Sequence, residues 1–161
     1  LTAAEPDVRE EGLAAIVAEG GDAEPLARLQ LAAVQATEGR NEEAIATLES
    51  VATNASPALA DLARLKIVTL GAGITPEAER RAILDGLSVE GHPYRNLALE
   101  QRALIAIEAG DTAAALEDLE ALAGAANISQ AGRDRALQLI TALGGDLPEA
   151  APDHTAMPTD G

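Results

Sequence analysis

Gly39-Arg40-Asn41-Glu42-Glu43-Ala44-Ile45-Ala46-Thr47-Leu48-Glu49-Ser50-Val51-Ala52 recurs without a gap as Gly110-Asp111-Thr112-Ala113-Ala114-Ala115-Leu116-Glu117-Asp118-Leu119-Glu120-Ala121-Leu122-Ala123. In both copies a Gly is followed five residues later by Ala and four residues after that by Leu: Gly39/Ala44/Leu48 and Gly110/Ala115/Leu119. Each part of the pattern has a physical meaning. The Gly ends a helix in a left-handed cap. The Ala falls where two helices of a hairpin touch, a place a larger side chain would pry open. The helix before each Gly carries a small residue for the same contact, Ala32 and Ala103. Gly110 lies 71 residues after Gly39, about two periods of a roughly 34-residue helical-hairpin repeat. A more divergent unit, Thr75–Leu87, lies between them, with Ala82, Ile83 and Leu87 as its apolar stripe.

Working outward, the helix punctuation is regular. Segments run from Pro6 to Gly20, Pro25 to Gly39, Asn41 to Asn54, Ser56-Pro57 to Gly71, Thr75-Pro76 to Leu87, Pro93 to Gly110, Asp111 to Gly124 and Ser129 to Gly144-Gly145. Ser, Thr, Asp or Asn at the start, Pro in the first turn and Gly just past the end mark helix boundaries. Two kinds of helix alternate. Leu26–Val34, Leu59–Leu70 and Leu97–Ile107 are apolar almost all round and are expected to be core, buried on more than one side. Between them the helices are one-sided. Ala44, Ile45, Leu48, Val51 and Ala52 share a stripe from which Glu42, Glu43, Thr47, Glu49 and Ser50 are absent. Inner helices covered by outer ones predict stacked hairpins rather than a four-helix bundle. The expected fold is all-α: a right-handed solenoid of about three hairpins with a leading helix near Val8–Ala18 and a capping helix near Ser129–Leu143. That domain occupies 1–144, and the stretch 145–161, with Pro148, Pro152 and Pro158, is expected to be a disordered tail.

Composition agrees with this and excludes much else. The 161 residues are 47% hydrophobic, yet contain no Phe, no Trp and a single Tyr, Tyr94. The core therefore rests on Ala, Leu, Ile and Val, among which Ala and Leu are strong helix formers. The net charge of -16 argues against nucleic acid, whose phosphates demand Lys and Arg, and against adhesion to an anionic membrane. The absence of cysteine removes disulfides, zinc–thiolate sites and thiol nucleophiles. The two histidines, His92 and His154, have no second metal ligand at helical spacing. Gly71-Ala72-Gly73 has neither the preceding strand nor the following Lys of a phosphate loop. With no nucleophile–base pair and no metal set, the sequence reads as a protein-binding module without cofactor or metal, and not as an enzyme.

The Gly/Ala/Leu pattern resembles the hairpin signature of the tetratricopeptide repeat. Its aromatic positions are missing here, and its closing Pro is displaced to Pro57 in one copy and absent after the other. Pro57–Leu70, Pro93-Tyr94-Arg95-Asn96-Leu97-Ala98-Leu99-Glu100, Ala109-Gly110-Asp111-Thr112-Ala113-Ala114-Ala115 and Gly132-Arg133-Asp134-Arg135-Ala136-Leu137-Gln138-Leu139-Ile140-Thr141-Ala142-Leu143-Gly144 together resemble the tetratricopeptide-repeat-like family of bacterial ancillary Sec translocon subunits, whose relatives include cell-division coordinators. The resemblance spans Leu13 to Gly144. It implies a repeat domain held in the periplasm by one inner-membrane helix upstream of this chain, no catalytic residues, and association with the secretion channel and periplasmic folding factors. A soluble cytoplasmic adaptor of the same fold and a structural, self-associating module are the alternatives.

Four residues are candidates for partner binding. Tyr94, the lone aromatic, and Arg102 belong to residue types that dominate binding hot spots. Arg133 and Arg135 flank Asp134 on the last helix, where they serve either as a docking patch or as ion-pair partners of neighbouring carboxylates.

Overall fold

The computed structural model describes residues 4–146. They form eight helices and no strand: α1 (Ala4–Glu19), α2 (Glu24–Thr37), α3 (Asn41–Asn54), α4 (Pro57–Leu70), α5 (Glu77–Leu87), α6 (Arg95–Glu108), α7 (Thr112–Ala123) and α8 (Gln130–Ala142). The all-α expectation therefore holds. Of the predicted tail, residues 147–161 lie outside the described residues. The chain resolves into two compact units, the first running to Ala98 and the second starting at Leu99, with the division inside α6.

Most boundaries follow local chemistry. Asp111 caps α7 by accepting the Ala114 N–H at 3.1 Å, and Ser129 caps α8 by accepting the Gly132 N–H at 3.1 Å. Pro25 and Pro57 sit in the first turns of α2 and α4, where a missing N–H is harmless. Other starts differ from expectation. Asn41 is the first residue of α3 rather than its cap; the cap position is Arg40, with no side-chain bond to the helix. Pro76 replaces Thr75 at the cap of α5. α1 begins at Ala4, ahead of Pro6, and α6 at Arg95, two residues after Pro93.

The two glycines of the repeat do what their position demands. Gly39 and Gly110 have φ of 78° and 75°, the left-handed region that Gly enters without a Cβ penalty. The following N–H groups, of Arg40 and Asp111, bond to Gln35 O and Ala106 O at 2.9 Å each. Gly39 N–H bonds to Ala36 O at 3.1 Å and Gly110 N–H to Ile107 O at 3.0 Å. Both helices thus end in the same Schellman turn, which satisfies carbonyls that have no partner within the helix.

In the first unit α2, α3 and α4 pack into one core of Leu29, Ala32, Ala44, Ile45, Leu48, Val51, Ala63 and Ile67. In the second, α6, α7 and α8 close around Leu99, Ala103, Leu119, Leu122, Ala123, Ala136 and Ile140. The two cores correspond at several positions, though not at all: Leu29 of the first falls on Glu100, and Leu99 of the second on Arg28. Ala32, Ala44, Leu48 and Val51 match Ala103, Ala115, Leu119 and Leu122 at the 71-residue offset; Ala63 and Ile67 match Ala136 and Ile140 at 73, the two extra residues falling in the α7–α8 connection. Ala44, Leu48, Ala115 and Leu119 are all 0% exposed, so the alanines predicted to lie at the hairpin contact are fully enclosed. The α3 stripe is as expected, except that Ala52 is only half-buried. The α5 stripe is shifted: Ala82 is exposed, and Leu84, 0% exposed, joins Ile83 and Leu87 instead. α5 turns one residue further than the Ala82 register because its start at Glu77 sets the face presented to α4.

Polar ties reinforce the cores at equivalent points. Arg64 of α4 donates from Nη2 to Ala52 O at 3.0 Å. Arg133 of α8 donates from Nη1 to Ala123 O at 2.5 Å and from Nη2 to Ala125 O at 3.2 Å. Each guanidinium thereby caps the C-terminal carbonyls of the preceding outer helix, where positive charge also meets the helix dipole. At the α2–α3 turn Arg40 joins three carboxylates: Glu10 of α1 at 2.6 Å, Glu43 of α3 at 2.8 Å and Glu38. These bonds, that to Glu10 foremost, raise the Arg40 pKa above its ordinary value.

The enclosed alanines yield a direct test. Ala44→Leu and Ala115→Leu force extra atoms into space with no solvent access and should destabilise the protein by about 1–3 kcal/mol each in denaturant titrations. Ala46→Leu, on the exposed face of the same helix α3, should change stability by less than about 0.5 kcal/mol.

Candidate partner-binding surface

The four candidate residues do not form one site. Tyr94 lies in the first unit, in the turn before α6, half-buried. Its ring meets that of His92 at 6.1 Å between centroids, tilted by 40°. The Tyr94 N–H donates to His92 Nδ1 at 3.2 Å, and His92 Nε2 lies 3.2 Å from Asp61 Oδ2 on α4. Asp61 also accepts from Arg64 Nη1 at 2.6 Å. Tyr94 and His92 thus fasten the α5–α6 turn onto α4. With Nδ1 accepting, the neutral ring carries its proton on Nε2 and donates it to Asp61.

The other three belong to the second unit. Arg102 of α6 pairs through Nη2 with Asp118 Oδ1 of α7 at 3.1 Å, and the Asp118 side chain is 6% exposed. This is a tie across the α6–α7 hairpin. The first unit has a neutral version of it: Thr47, which corresponds to Asp118, donates from Oγ1 to the buried Gln35 Oε1 at 2.9 Å. Arg133 is spent on the Ala123 and Ala125 carbonyls. Arg135 donates from Nε to Glu100 Oε1 of α6 at 2.8 Å, a bond that raises the Arg135 pKa. Arg135 therefore does pair with a carboxylate, but on α6 rather than on the helix directly before it.

A surface that none of these residues marks comes from the inner helices. Leu26, Leu97 and Leu104 are exposed at 56%, 44% and 38%, although their helices read as apolar almost all round and hence as core. Leu26 and Leu97 occupy the same position of the repeat, as do Gln30 and Gln101, and Ala33 and Leu104. These residues are spaced four and three apart, so they line one open stripe along α2 and the same stripe along α6. Its own residues carry no charge, although on α2 Arg9 of α1 reaches Gln30 Oε1 at 3.5 Å, whereas the outer helices present Glu42, Glu43 and Glu49 on α3 and Glu117 and Glu120 on α7 to solvent. The signal was present in the sequence, because Leu26 and Gln30 are identical to Leu97 and Gln101. The same exposed leucine at the same repeat position in both copies is what separates this stripe from scattered surface leucines.

In the first unit the stripe borders a groove of about 310 Å³ lined by Ala32, Ala33 and Ala36 of α2, Leu48 of α3, and Lys66, Thr69 and Leu70 of α4. Among the described residues no three His, Asp or Glu side chains are grouped to hold a metal ion, and no helix is long and apolar enough to cross a membrane. No family model, no curated protein and no solved structure matches the chain.

The Arg102–Asp118 tie is testable as a stability element. Arg102→Ala removes an ion-pair partner of a buried carboxylate and should destabilise the protein by about 2 kcal/mol, less than for a fully buried pair because Arg102 retains 31% side-chain exposure. The double variant Arg102→Leu/Asp118→Leu should be more stable than Arg102→Ala. Chemical denaturation of both variants checks the order.

Proposed function

We propose that this chain is a protein-binding scaffold built from tetratricopeptide-like hairpins stacked as a right-handed solenoid, binding through the open stripe of its inner helices and performing no chemistry. The observation that carries this reading is the repetition of an exposed, uncharged Leu–Gln stripe at equivalent positions of α2 and α6. Exposed apolar residues in rows on helical repeats are the usual means of holding peptides or helices. The Schellman turns, the enclosed alanines and the partial match of the two cores support the hairpin repeat. The sequence resemblance supports a periplasmic setting, tethered to the bacterial inner membrane, with the Sec translocon or periplasmic folding factors as partners.

A second reading, self-association, draws on α1, where Val8 and Ile16 are exposed at 70% and 39%. Light scattering of the purified chain addresses it, and a monomer at high concentration would remove it.

A photo-crosslinking residue placed in cells at Leu26 or at Leu97 should capture the same partner, and the equivalent outer positions Glu49 and Glu120 should not. Mass spectrometry should identify a secretion-channel subunit or a periplasmic folding factor. Capture of the same unrelated abundant proteins from all four positions would overturn the binding assignment.

A further inference from the structure

The two copies of the repeat differ at the places where the groove is built. On the inner helix, Ala33 and Ala36 of the first unit correspond to Leu104 and Ile107 of the second. On the following helix, Lys66, Thr69 and Leu70 correspond to Leu139, Ala142 and Leu143. Where the second unit has two bulky apolar side chains and a leucine, the first has two alanines and a lysine. In the first unit these residues line a space over an apolar floor with a cation on its edge. The floor is firm: Ala32 is 1% and Leu48 0% exposed, both within the first core.

The charge pattern is unusual for this chain. Acidic side chains number 27 against 11 basic ones, and Lys66 is the sole lysine. Yet no carboxylate lines the groove, and its one charged residue is positive. Lys66 is exposed, and among the described residues no carboxylate lies within ion-pair distance of it. The arginines nearest in sequence or on the same helix are engaged: Arg64, for example, bonds to Asp61 and to Ala52 O. Lys66 is therefore the charge in direct reach of a group inside the groove.

We propose that the α2–α4 groove seats an amphipathic helix of a partner protein, which lays Leu-, Ile- or Met-type side chains over Ala33, Ala36 and Leu70 and sets an Asp or Glu side chain against Lys66. The volume of about 310 Å³ lies at the low end of the range for small-molecule pockets, which fits a few anchoring side chains of a helix rather than a large ligand. The alanines let the partner backbone approach closely, and helix-in-groove binding uses anchors at the spacing that the α2 stripe itself presents. The proposal rests on the binding function put forward above and assigns its chemistry.

The test selects a display library of randomised 14-residue helical peptides on the whole chain, with counter-selection on Ala33→Trp, whose indole fills the groove. Surviving peptides should combine apolar residues at helical spacing with an adjacent Asp or Glu. Fluorescence anisotropy of a synthetic survivor should show binding weakened roughly five- to tenfold by Lys66→Glu, the range for one attraction turned into a repulsion at a surface. Changing the peptide's acidic residue to Lys should restore binding to Lys66→Glu. Survivors without an acidic bias, insensitivity to Lys66→Glu, or no Ala33→Trp-sensitive survivor would each overturn the proposal. Crosslinking from Leu26 and Leu97 to one common partner, with no charge dependence at Lys66, would remove the groove assignment and leave the binding function standing. Failure of the crosslinks at the stripe would remove the function itself.

Discussion

The structure depends on how closely its helices approach. With no Phe, no Trp and a single Tyr, no large side chain is at hand to fill a wide gap between helices. The interhelical distance is set by the side chains at the contact, and alanine gives the shortest. Ala32 shares the first core with Ala44 and Leu48, and Ala103 the second with Leu119, so that Ile67 and Ile140 from the next helix complete each core at low exposure. The turn must then reverse the chain within a few residues, which is why a left-handed Gly39 or Gly110 ends the inner helix in both copies. The polar ties sit where this approach leaves backbone groups or side chains short of water: Gln35 with Thr47, Arg102 with Asp118, and Arg64 and Arg133 on the last carbonyls of the outer helices.

Much of this was legible in the sequence because it depends on short-range chemistry. The Asp111 and Ser129 caps, the two left-handed glycines and the α3 stripe involve residues a few positions apart. The misreadings share a different origin. Asn41 lost the cap position because the Schellman turn already hands Arg40 to the first turn of α3, leaving Asn41 inside the helix. Ala82 and Leu84 both fit a helical stripe on α5, and only the direction from which α4 packs chooses Leu84. The exposure of Leu26 and Leu97 could not be read from periodicity either. An almost wholly apolar helix has no polar face to show which side lacks a neighbour, so α2 and α6 looked like core on every side.

The placement of charge follows from the same geometry. Outer helices meet the core on one side only, so they have room for Glu42, Glu43 and Glu49, or Glu117 and Glu120, in solvent. Inner helices have little such room, and their open stripe stays uncharged. Rows of exposed leucine would ordinarily invite aggregation. A net charge of -16 opposes the meeting of two copies through self-repulsion, while a partner of smaller or opposite charge meets no such barrier. The acidic surface and the apolar stripe are in that sense complementary: the first lets the second remain open.

Divergence within the repeat adds the last step. Six core positions keep the same or a closely similar small or apolar residue in both copies, Ala32/Ala103, Ala44/Ala115, Leu48/Leu119, Val51/Leu122, Ala63/Ala136 and Ile67/Ile140. The groove positions do not, and Ala33, Ala36 and Lys66 stand against Leu104, Ile107 and Leu139. These positions lie outside the enclosed core in the second copy as well, where Leu104 is 38% exposed and Ile107 and Leu139 are half-buried. They are therefore free to differ without cost to the core, and the first unit keeps a lysine beside an apolar floor. On the binding function proposed above, this divergence outside the core is what distinguishes the first unit: its groove alone sets a cation against alanines, where the second copy carries leucine and isoleucine.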